Sequence, residues 1–280
     1  MVTNALSVDV EDWFQVGAFE RTIRREHWDV VEHRVEANTD RVLALFAESG
    51  VKATFFTLGW VAERYPALLR RIAEAGHEIA SHGWEHQRVF AMTPAQFRAD
   101  LERSRGTIEN AAGVEVTGYR APSFSIDHRT PWAHEILAEQ GYAYSSSVAP
   151  IRHDHYGWPD APRTTFRPVA DAALVEIPIT LARFAGREVT TGGGFFRLLP
   201  GGVTRRAVRA ANAAAQPAVF FFHPWEIDPG QPRVRDAPLK SKLRHYSRLG
   251  AMAGKLRKLI AAHDWGRMDA IAAREAEKLA

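Results

Sequence analysis

Two histidines, His82 and His86, stand four positions apart in the segment SHGWEH, directly after the apolar run that ends in EIA. At this spacing both imidazoles fall on one side of a helical turn, where they can converge on one metal ion. The chain contains no cysteine, so any further ligand is expected to be a carboxylate or an imidazole. Such a donor set favours one divalent ion, with Zn preferred and Co, Ni and Fe as alternatives.

Three further polar groups follow apolar runs elsewhere in the chain. The acids Asp9, Glu11 and Asp12 end the first run, Arg120 follows another, and His223 follows three phenylalanines. Parallel α/β folds place their functional residues just after the strands, so these groups are expected to meet at one end of a sheet. Four polar clusters at four strand ends indicate a functional site around the metal.

Apolar runs and helical periodicities alternate along the chain. Strands are predicted at Ala5–Val10, Ala53–Leu58, His77–Ala80, Val114–Gly118, Leu174–Ile179 and Ala218–Phe222. Helices are predicted at Thr39–Ser49, Pro66–Ala75, Pro94–Ala112, Pro131–Gln140 and Pro238–His263. Long loops are predicted at Pro150–Pro168 and Thr190–Gly202, which are rich in proline and glycine respectively. The alternation predicts a parallel α/β sheet, either as a barrel or as an open sheet.

Composition limits the classes of protein. The 280 residues suffice for one large or two small domains, and 46% hydrophobic with 25% charged residues is ordinary globular composition. The net charge of only +3 and the absence of a recognition motif predict no nucleic-acid partner. A mildly basic surface suits an anionic glycan or a membrane face.

The N-terminal segment MVTNALSVDVEDW lacks the basic and apolar regions of a signal peptide. The longest apolar stretch, Ala218–Phe222, is too short to span a bilayer. These features predict a cytoplasmic protein without a membrane span, and they leave peripheral membrane contact and the oligomeric state open.

Taken together, the four polar segments resemble the NodB-type polysaccharide deacetylases, carbohydrate esterase family 4. In order they are SVDVED, SHGWEH, GYRAPSF and FFFHPWEID. The tail from HPWEIDP to RHY resembles the branch associated with bacterial exopolysaccharide and exosortase loci. The resemblance implies a distorted (β/α) barrel of about seven parallel strands over residues 1–228, with a helical C-terminal extension over residues 229–280 packed on the same domain. It also implies removal of N-acetyl groups from N-acetylhexosamine units of a bacterial exopolysaccharide.

The resemblance implies a role for each polar residue. His82 and His86 hold the metal together with an acid of the first segment. Asp9 is the general base that takes a proton from the attacking water, and Arg120 orients Asp9. His223 is the general acid that protonates the leaving amine. Amide hydrolysis near neutral pH needs this combination of a metal, a base and an acid.

The resemblance further suggests contacts with the substrate. Tyr119, Pro122 and Trp225 are the expected substrate-binding residues, and a backbone N–H near Tyr119 or the following arginine is expected to stabilise the oxyanion. Glu226 and Asp228 either fix the acidic histidine or belong to a simple loop.

The third metal ligand is the one position at which the first segment departs from the family pattern. Most members have two adjacent aspartates, whereas this chain has Asp9, Glu11 and Asp12. On an extended strand residues 9 and 11 share a face and residue 12 points away, which favours Glu11. Asp12 becomes the better candidate if the strand has already turned there.

Other functions fit parts of the pattern. A cyclic-amide hydrolase of the allantoinase type would keep the same fold. A zinc peptidase would use the H-x-x-E-H sequence with Glu85 as its base, but that motif needs a regular helix, which Gly83 weakens. A glycan-binding relative without activity would not need an intact set of base, ligands and acid.

Overall fold

The computed structural model describes residues 2–153 and 156–279. Its strands are β1 Asn4–Val10, β2 Thr54–Thr57, β3 Glu78–Ser81, β4 Gly118–Tyr119, β5 Tyr144–Ser145, β6 Val175–Glu176, β7 Leu181–Phe184, β8 Arg187–Thr190, β9 Val219–Phe222 and β10 Trp265–Gly266. Its α-helices are α1 Val35–Ser49, α2 Gly59–Arg64, α3 Pro66–Glu74, α4 Pro94–Ala112, α5 Ala133–Glu139, α6 Gly193–Leu198, α7 Gly201–Ala213, α8 Leu239–Tyr246, α9 Leu249–Ile260 and α10 Met268–Lys278.

The main sheet is parallel, and β1 lies inside it between β9 and β2. Pairing gives the order β9–β1–β2–β3–β4–β5–β6, and the short β10 pairs with the first two residues of β1. Within the described part of the chain no pairing joins β6 to β9, so the barrel stays open there. The prediction of an α/β fold with about seven parallel strands in a distorted barrel is confirmed.

Side-chain alternation along β1 positions the first acid. Leu6 and Val8 pack in the cluster that the helices cover, whereas Ala5 packs in a second cluster on the opposite face of the sheet. Because successive side chains of a strand point to opposite faces, Ser7 and Asp9 share the face of Ala5. The first acid therefore lies at the carboxyl end of an inner strand on the concave side.

Several predicted boundaries agree closely with the structure. Pro94–Ala112 is α4 over its whole length, because Thr93 and Gln96 form a capping box at its start and Gly113, at φ +71°, ends it.

The predicted strand Val114–Gly118 is wrong for most of its length. Only Gly118 pairs, and β4 continues to Tyr119.

The glycine-rich segment Thr190–Gly202 is not a loop. It contains α6 and the start of α7, and the glycines serve close packing instead. A Cβ on Gly192 would lie 2.1 Å from the carbonyl oxygen of Phe221, so no other residue fits beside β9. The β7–β8 hairpin directly before it was not predicted.

The predicted helix Pro238–His263 is two helices, α8 and α9. Arg248 adopts φ +57° between them, and this left-handed residue turns the chain. The strand β10 and the helix α10 beyond it were not predicted. Because β10 pairs with β1, the C-terminal residues pack on the same sheet. The division at residues 228 and 229 stays a prediction.

None of the helices in the described ranges is long and apolar enough to cross a membrane. The cytoplasmic location stays a prediction. In the predicted loop Pro150–Pro168, Asp154 and His155 lie outside the described residues, and the residues from 156 onward have no helix or strand up to 168.

Candidate metal and catalytic site

An acid of the first segment and the two histidines of SHGWEH, which are distant from it in the sequence, meet at the carboxyl ends of β1 and β3. Glu11, His82 and His86 each offer one ligand atom, and these atoms all lie within 4.8 Å of one another. His86 Nε2 is 2.9 Å from Glu11 Oε2. His82 Nδ1 lies 2.8 Å from the carbonyl oxygen of Arg120, a contact in which the ring nitrogen donates. That hydrogen bond leaves His82 Nε2 without a proton and able to bind a metal.

The histidine segment is a loop and not the helical turn that the spacing suggested. Gly83 has φ +75° and His86 has φ +57°, and these two left-handed residues fold the chain back on itself. Asp100 on α4 holds the loop, since both its carboxylate oxygens lie 3.2 Å from the backbone N–H of Trp84, which donates to them. A Cβ on Gly83 would stand 3.0 Å from Asp100 Oδ2, so the glycine allows this close approach.

Glu85 in the same loop takes no part in the cluster. Its side chain is partly exposed, and its Oε1 lies 3.8 Å from Arg25 Nε. The H-x-x-E-H reading therefore lacks both the regular helix and a base that faces the two histidines.

The two candidate third ligands, Glu11 and Asp12, are separated by a turn. β1 ends at Val10, and the N–H of Glu11 donates to the carbonyl oxygen of Asp9 at 3.1 Å, which turns the Glu11 side chain toward the histidines. Asp12 instead accepts the backbone N–H groups of Trp13, Arg34 and Val35 at 2.8, 2.7 and 2.9 Å. Its carboxylate is thus engaged at the start of α1, away from the cluster.

This separation gives a pair of matched variants. We expect Asp12→Asn to keep bound zinc but to lower the free energy of unfolding by about 1–3 kcal/mol, because the amide cannot accept all three N–H groups. We expect Glu11→Gln to lose bound zinc. Zinc content after gel filtration and urea denaturation measure the two effects. Loss of zinc from Asp12→Asn together with its retention in Glu11→Gln would contradict the assignment.

The protonation states of the cluster suit a divalent cation. Burial alone would raise the pKa of Glu11, but the nearby His86 and His223 outweigh it and lower that pKa to about 2. Burial lowers the pKa of His82 to about 4. Glu11 Oε2 is buried, and its near neighbour His86 Nε2, 2.9 Å away, is not aligned to donate a hydrogen bond to it; among the described residues this oxygen has no other partner. A carboxylate, a neutral imidazole and an orphaned buried oxygen fit a metal ion.

Arg120 and Asp9 form a buried ion pair beside this cluster. Arg120 Nη1 donates to Asp9 Oδ1 at 2.6 Å and to Ser7 Oγ at 2.7 Å, while its Nε donates to the carbonyl oxygen of Ser146 at 3.1 Å. The guanidinium also lies 4.0 Å from the centroid of the Phe56 ring. These contacts hold one oxygen of Asp9 and leave Oδ2 on the side of His223.

His223 lies opposite the histidine loop, directly after β9. Its Nε2 is 3.6 Å from Glu11 Oε1 and 4.0 Å from Asp9 Oδ2, and its Nδ1 is 2.7 Å from Glu226 Oε1. Burial alone would lower the pKa of His223, but Glu11, Glu226 and Asp9 outweigh it and raise that pKa to about 9. The imidazole therefore carries a proton near neutral pH, as a general acid requires.

A buried arginine that the sequence did not reveal holds His223 in place through Glu226. Arg197 on α6 is fully buried and donates from Nε to Glu226 Oε2 at 2.6 Å. The same guanidinium donates to the carbonyl oxygens of Arg244 and His245 at the end of α8. In the sequence Arg197 lies among glycines and apolar residues, and only its burial in the folded chain identifies it as part of the site.

Trp225 joins the site to the C-terminal extension. Its Nε1 donates to Glu11 Oε1 at 3.2 Å, and its ring stacks between those of His223 and His245, with centroids 5.2 and 4.2 Å away. Asp228, the other acid considered near the histidine, binds Arg34 instead, at 2.6 Å. Of the two acids, Glu226 is the one in contact with the histidine.

The three residues that were expected to bind the substrate are all buried. Tyr119 is in the core, 1% exposed, where its ring packs on Phe97 and Tyr142, so its side chain cannot reach a glycan. Pro122 is buried near the histidine loop, and Trp225 is buried beneath the site. The Arg120 N–H already donates to Ser81 at 2.9 Å, so it is not free to stabilise an oxyanion.

Comparison with known proteins identifies two adjoining family segments. Residues 28–145 match the polysaccharide deacetylase family model, and residues 146–273 match a domain of unknown function, DUF3473. The first segment contains both histidines of the loop and Arg120. Asp9 and Glu11 precede it, and His223 lies in the second segment, so the assembled site draws on all three parts.

Individual relatives match over part of their length. The chain is 33% identical to the peptidoglycan deacetylase of Helicobacter pylori over 113 residues, which are 40% of this chain and 38% of that protein. It is 32% identical to the chitooligosaccharide deacetylase of Sinorhizobium fredii over 140 residues, 49% of this chain and 57% of the relative. The chain thus covers less than two thirds of either relative.

The fold has a counterpart among solved structures. A protein of Mycobacterium smegmatis that is provisionally classed as a polysaccharide deacetylase superposes with a TM-score of 0.65 at 24% identity, over all of this chain and 92% of that one. At this identity the likeness shows the fold alone.

Proposed function

We propose that this chain, whose residues 28–145 match the polysaccharide deacetylase family model, is a metal-dependent hydrolase that removes N-acetyl groups from N-acetylhexosamine units of a bacterial exopolysaccharide. The observation that carries the proposal is the meeting of Glu11, His82 and His86 beside a buried carboxylate, Asp9, and an imidazole, His223. Deacetylases of peptidoglycan and of chitooligosaccharide among the relatives support the class of substrate.

Glu11, His82 and His86 are the proposed ligands of one divalent ion, with Zn preferred because two imidazoles and a carboxylate form a common zinc donor set. Co, Ni and Fe fit the same donors. When bound, such an ion supplies a Lewis acid that makes water a nucleophile near neutral pH. The Glu11 oxygen and the lone pair of His82 Nε2 are available for it.

Asp9 is the proposed general base. Arg120 binds its Oδ1, so Oδ2, which lies 4.0 Å from His223 Nε2, is the oxygen left to take a proton from the attacking water. The buried Arg120 guanidinium is the counter-ion of this carboxylate. The same ion pair fixes the direction from which the base acts.

His223 is the proposed general acid. Its Nε2 faces Asp9 and Glu11, and Glu226 holds Nδ1, so the proton available to a leaving nitrogen is the one on Nε2. Base and acid stand on one side of the ligand cluster, with 4.0 Å between Asp9 Oδ2 and His223 Nε2, so a scissile amide has to lie in front of both groups. Trp225 then acts as a support for His223 and not as a surface for sugar.

The test is acetate release from several acetylated glycans by the purified chain. We expect acetate from N-acetylglucosamine oligomers or from an N-acetylated exopolysaccharide, and none in the presence of a strong chelator. Allantoin and a peptide mixture serve as substrates for the competing functions. Hydrolysis of allantoin or peptide without acetate release from any glycan would contradict the proposal.

A further inference from the structure

The surface of α8 combines exposed leucines with basic residues. Leu239 and Leu243 are 70% and 59% exposed, and they stand one turn apart on the same face of the helix. The segment from Arg233 to Arg248, both included, contains six lysines and arginines and one acid, Asp236. Two exposed leucines within so basic a segment are unusual for a surface that faces only water.

The opposite side of α8 is fixed to the body of the protein. His245 is buried and stacks on Trp225, and Arg197 binds the carbonyl oxygens at the end of the helix. The helix is therefore held in one orientation, with its buried side toward the candidate site and its leucines directed outward. The exposed leucines cannot turn inward without breaking these contacts.

A groove lies beside the two leucines. It has a volume of about 390 Å³. Its walls combine apolar and basic side chains, namely Leu239, Leu243, Tyr246, Arg233, Arg235 and Lys242. Arg233 lies over the ring of Tyr246 at 4.2 Å, and Lys242 donates to the carbonyl oxygen of Arg235 at 3.0 Å. The charged groups thus border the apolar ones closely.

We propose that the face of α8 that carries Leu239 and Leu243 docks on an anionic phospholipid surface. The charge selects this occupant, because Arg233, Arg235 and Lys242 beside the leucines attract acidic headgroups while the leucines enter the acyl boundary. A partner protein would need a complementary patch of about 800 Å², whereas two leucines inside a basic border need only a lipid interface. Docking places the candidate site next to the membrane, which suits a glycan held there by a lipid anchor.

The test is sedimentation of the full chain with vesicles of phosphatidylcholine alone or mixed with phosphatidylglycerol. We expect binding to the mixed vesicles only, and weaker binding at high salt because surface charges are screened. Leu239→Ser with Leu243→Ser is expected to reduce partitioning by roughly tenfold or more. Arg233→Gln with Arg235→Gln is expected to reduce it by roughly twenty-five-fold, about fivefold for each charge.

Matched controls lie on other surfaces. Val30→Ser removes an apolar residue that is 82% exposed, and Arg183→Gln with Arg187→Gln removes two exposed charges of the β7–β8 hairpin. Both controls are expected to bind vesicles as the unchanged chain does. All variants keep acetate release from a soluble oligomer, so failure of docking is distinguished from failure of the proposed activity.

Three results would overturn the proposal. The first is equal binding to vesicles with and without phosphatidylglycerol, or no binding to either. The second is unchanged binding by the double leucine variant. The third is a change of oligomeric state by that variant without lipid, which would assign the face to a second copy of the chain.

Discussion

Replacing His82 with alanine is expected to reduce bound zinc to background and acetate release by more than about a hundredfold. Loss of groups that merely support a metal ligand costs 10–100-fold, so loss of a ligand should exceed that range. His82 is fully enclosed, and its Nδ1 already binds the Arg120 carbonyl, so no neighbouring side chain can take its place. Metal content after gel filtration and acetate release at saturating substrate measure the two effects.

Glu85→Gln is the matched control for this prediction. Glu85 lies in the same loop, but its carboxylate faces Arg25 at the surface. We expect this variant to keep both zinc and acetate release. A Glu85→Gln protein that keeps its zinc but loses activity would favour the peptidase reading, and full activity of His82→Ala would exclude His82 as a ligand.

Asp9→Asn is expected to lower kcat by about 10²–10⁴-fold with little change in KM and with zinc retained, since a general base acts in the transition state. The amide keeps the size of the side chain and one acceptor for Arg120, but it cannot take a proton. Steady-state kinetics together with metal analysis measure the effect.

Ser7→Ala gives the comparison that separates chemistry from packing. It removes the other oxygen that Arg120 Nη1 binds and leaves the Asp9 carboxylate in place. We expect a loss of kcat of less than about tenfold, as befits a residue that acts only through Arg120. Equal losses in Asp9→Asn and Ser7→Ala would show that the ion pair serves packing and not proton transfer.

The sequence predicted the components of the site better than their local conformation. His82, His86, Arg120 and His223 follow β3, β4 and β9, so the rule that parallel sheets gather functional residues at their carboxyl ends was enough to group them. The spacing of the two histidines suggested a helical turn, but the structure has a loop. This loop, with left-handed backbone at Gly83 and His86, is held at Trp84 by Asp100 from another element, which local spacing cannot reveal.

The choice between Glu11 and Asp12 shows why a local rule was only partly sufficient. Strand alternation favoured Glu11, and the structure turns its side chain to the histidines, but through a turn after Val10 and not along an extended strand. The Asp12 carboxylate accepts hydrogen bonds from three backbone N–H groups, two of which lie at the start of α1. Such partners arise only from the tertiary fold.

The C-terminal half was predicted least well, for the same reason. Glycines 192–194 predicted a loop. In the structure they allow α6 to approach β9 so closely that a Cβ on Gly192 would overlap Phe221. That approach brings Arg197 to Glu226 behind His223. The residues that fix the proposed acid therefore come from a segment whose composition indicated no structure at all.

The most direct test of the proposed single-metal site is a titration of the metal-free chain with zinc while acetate release from an N-acetylglucosamine oligomer is followed. We expect activity to rise in proportion to added zinc and to level off at one equivalent per chain, and we expect His82→Ala and Glu11→Gln to show no rise. Full acetate release from the metal-free chain, or a rise that needs two equivalents, would contradict a single ion held by Glu11, His82 and His86.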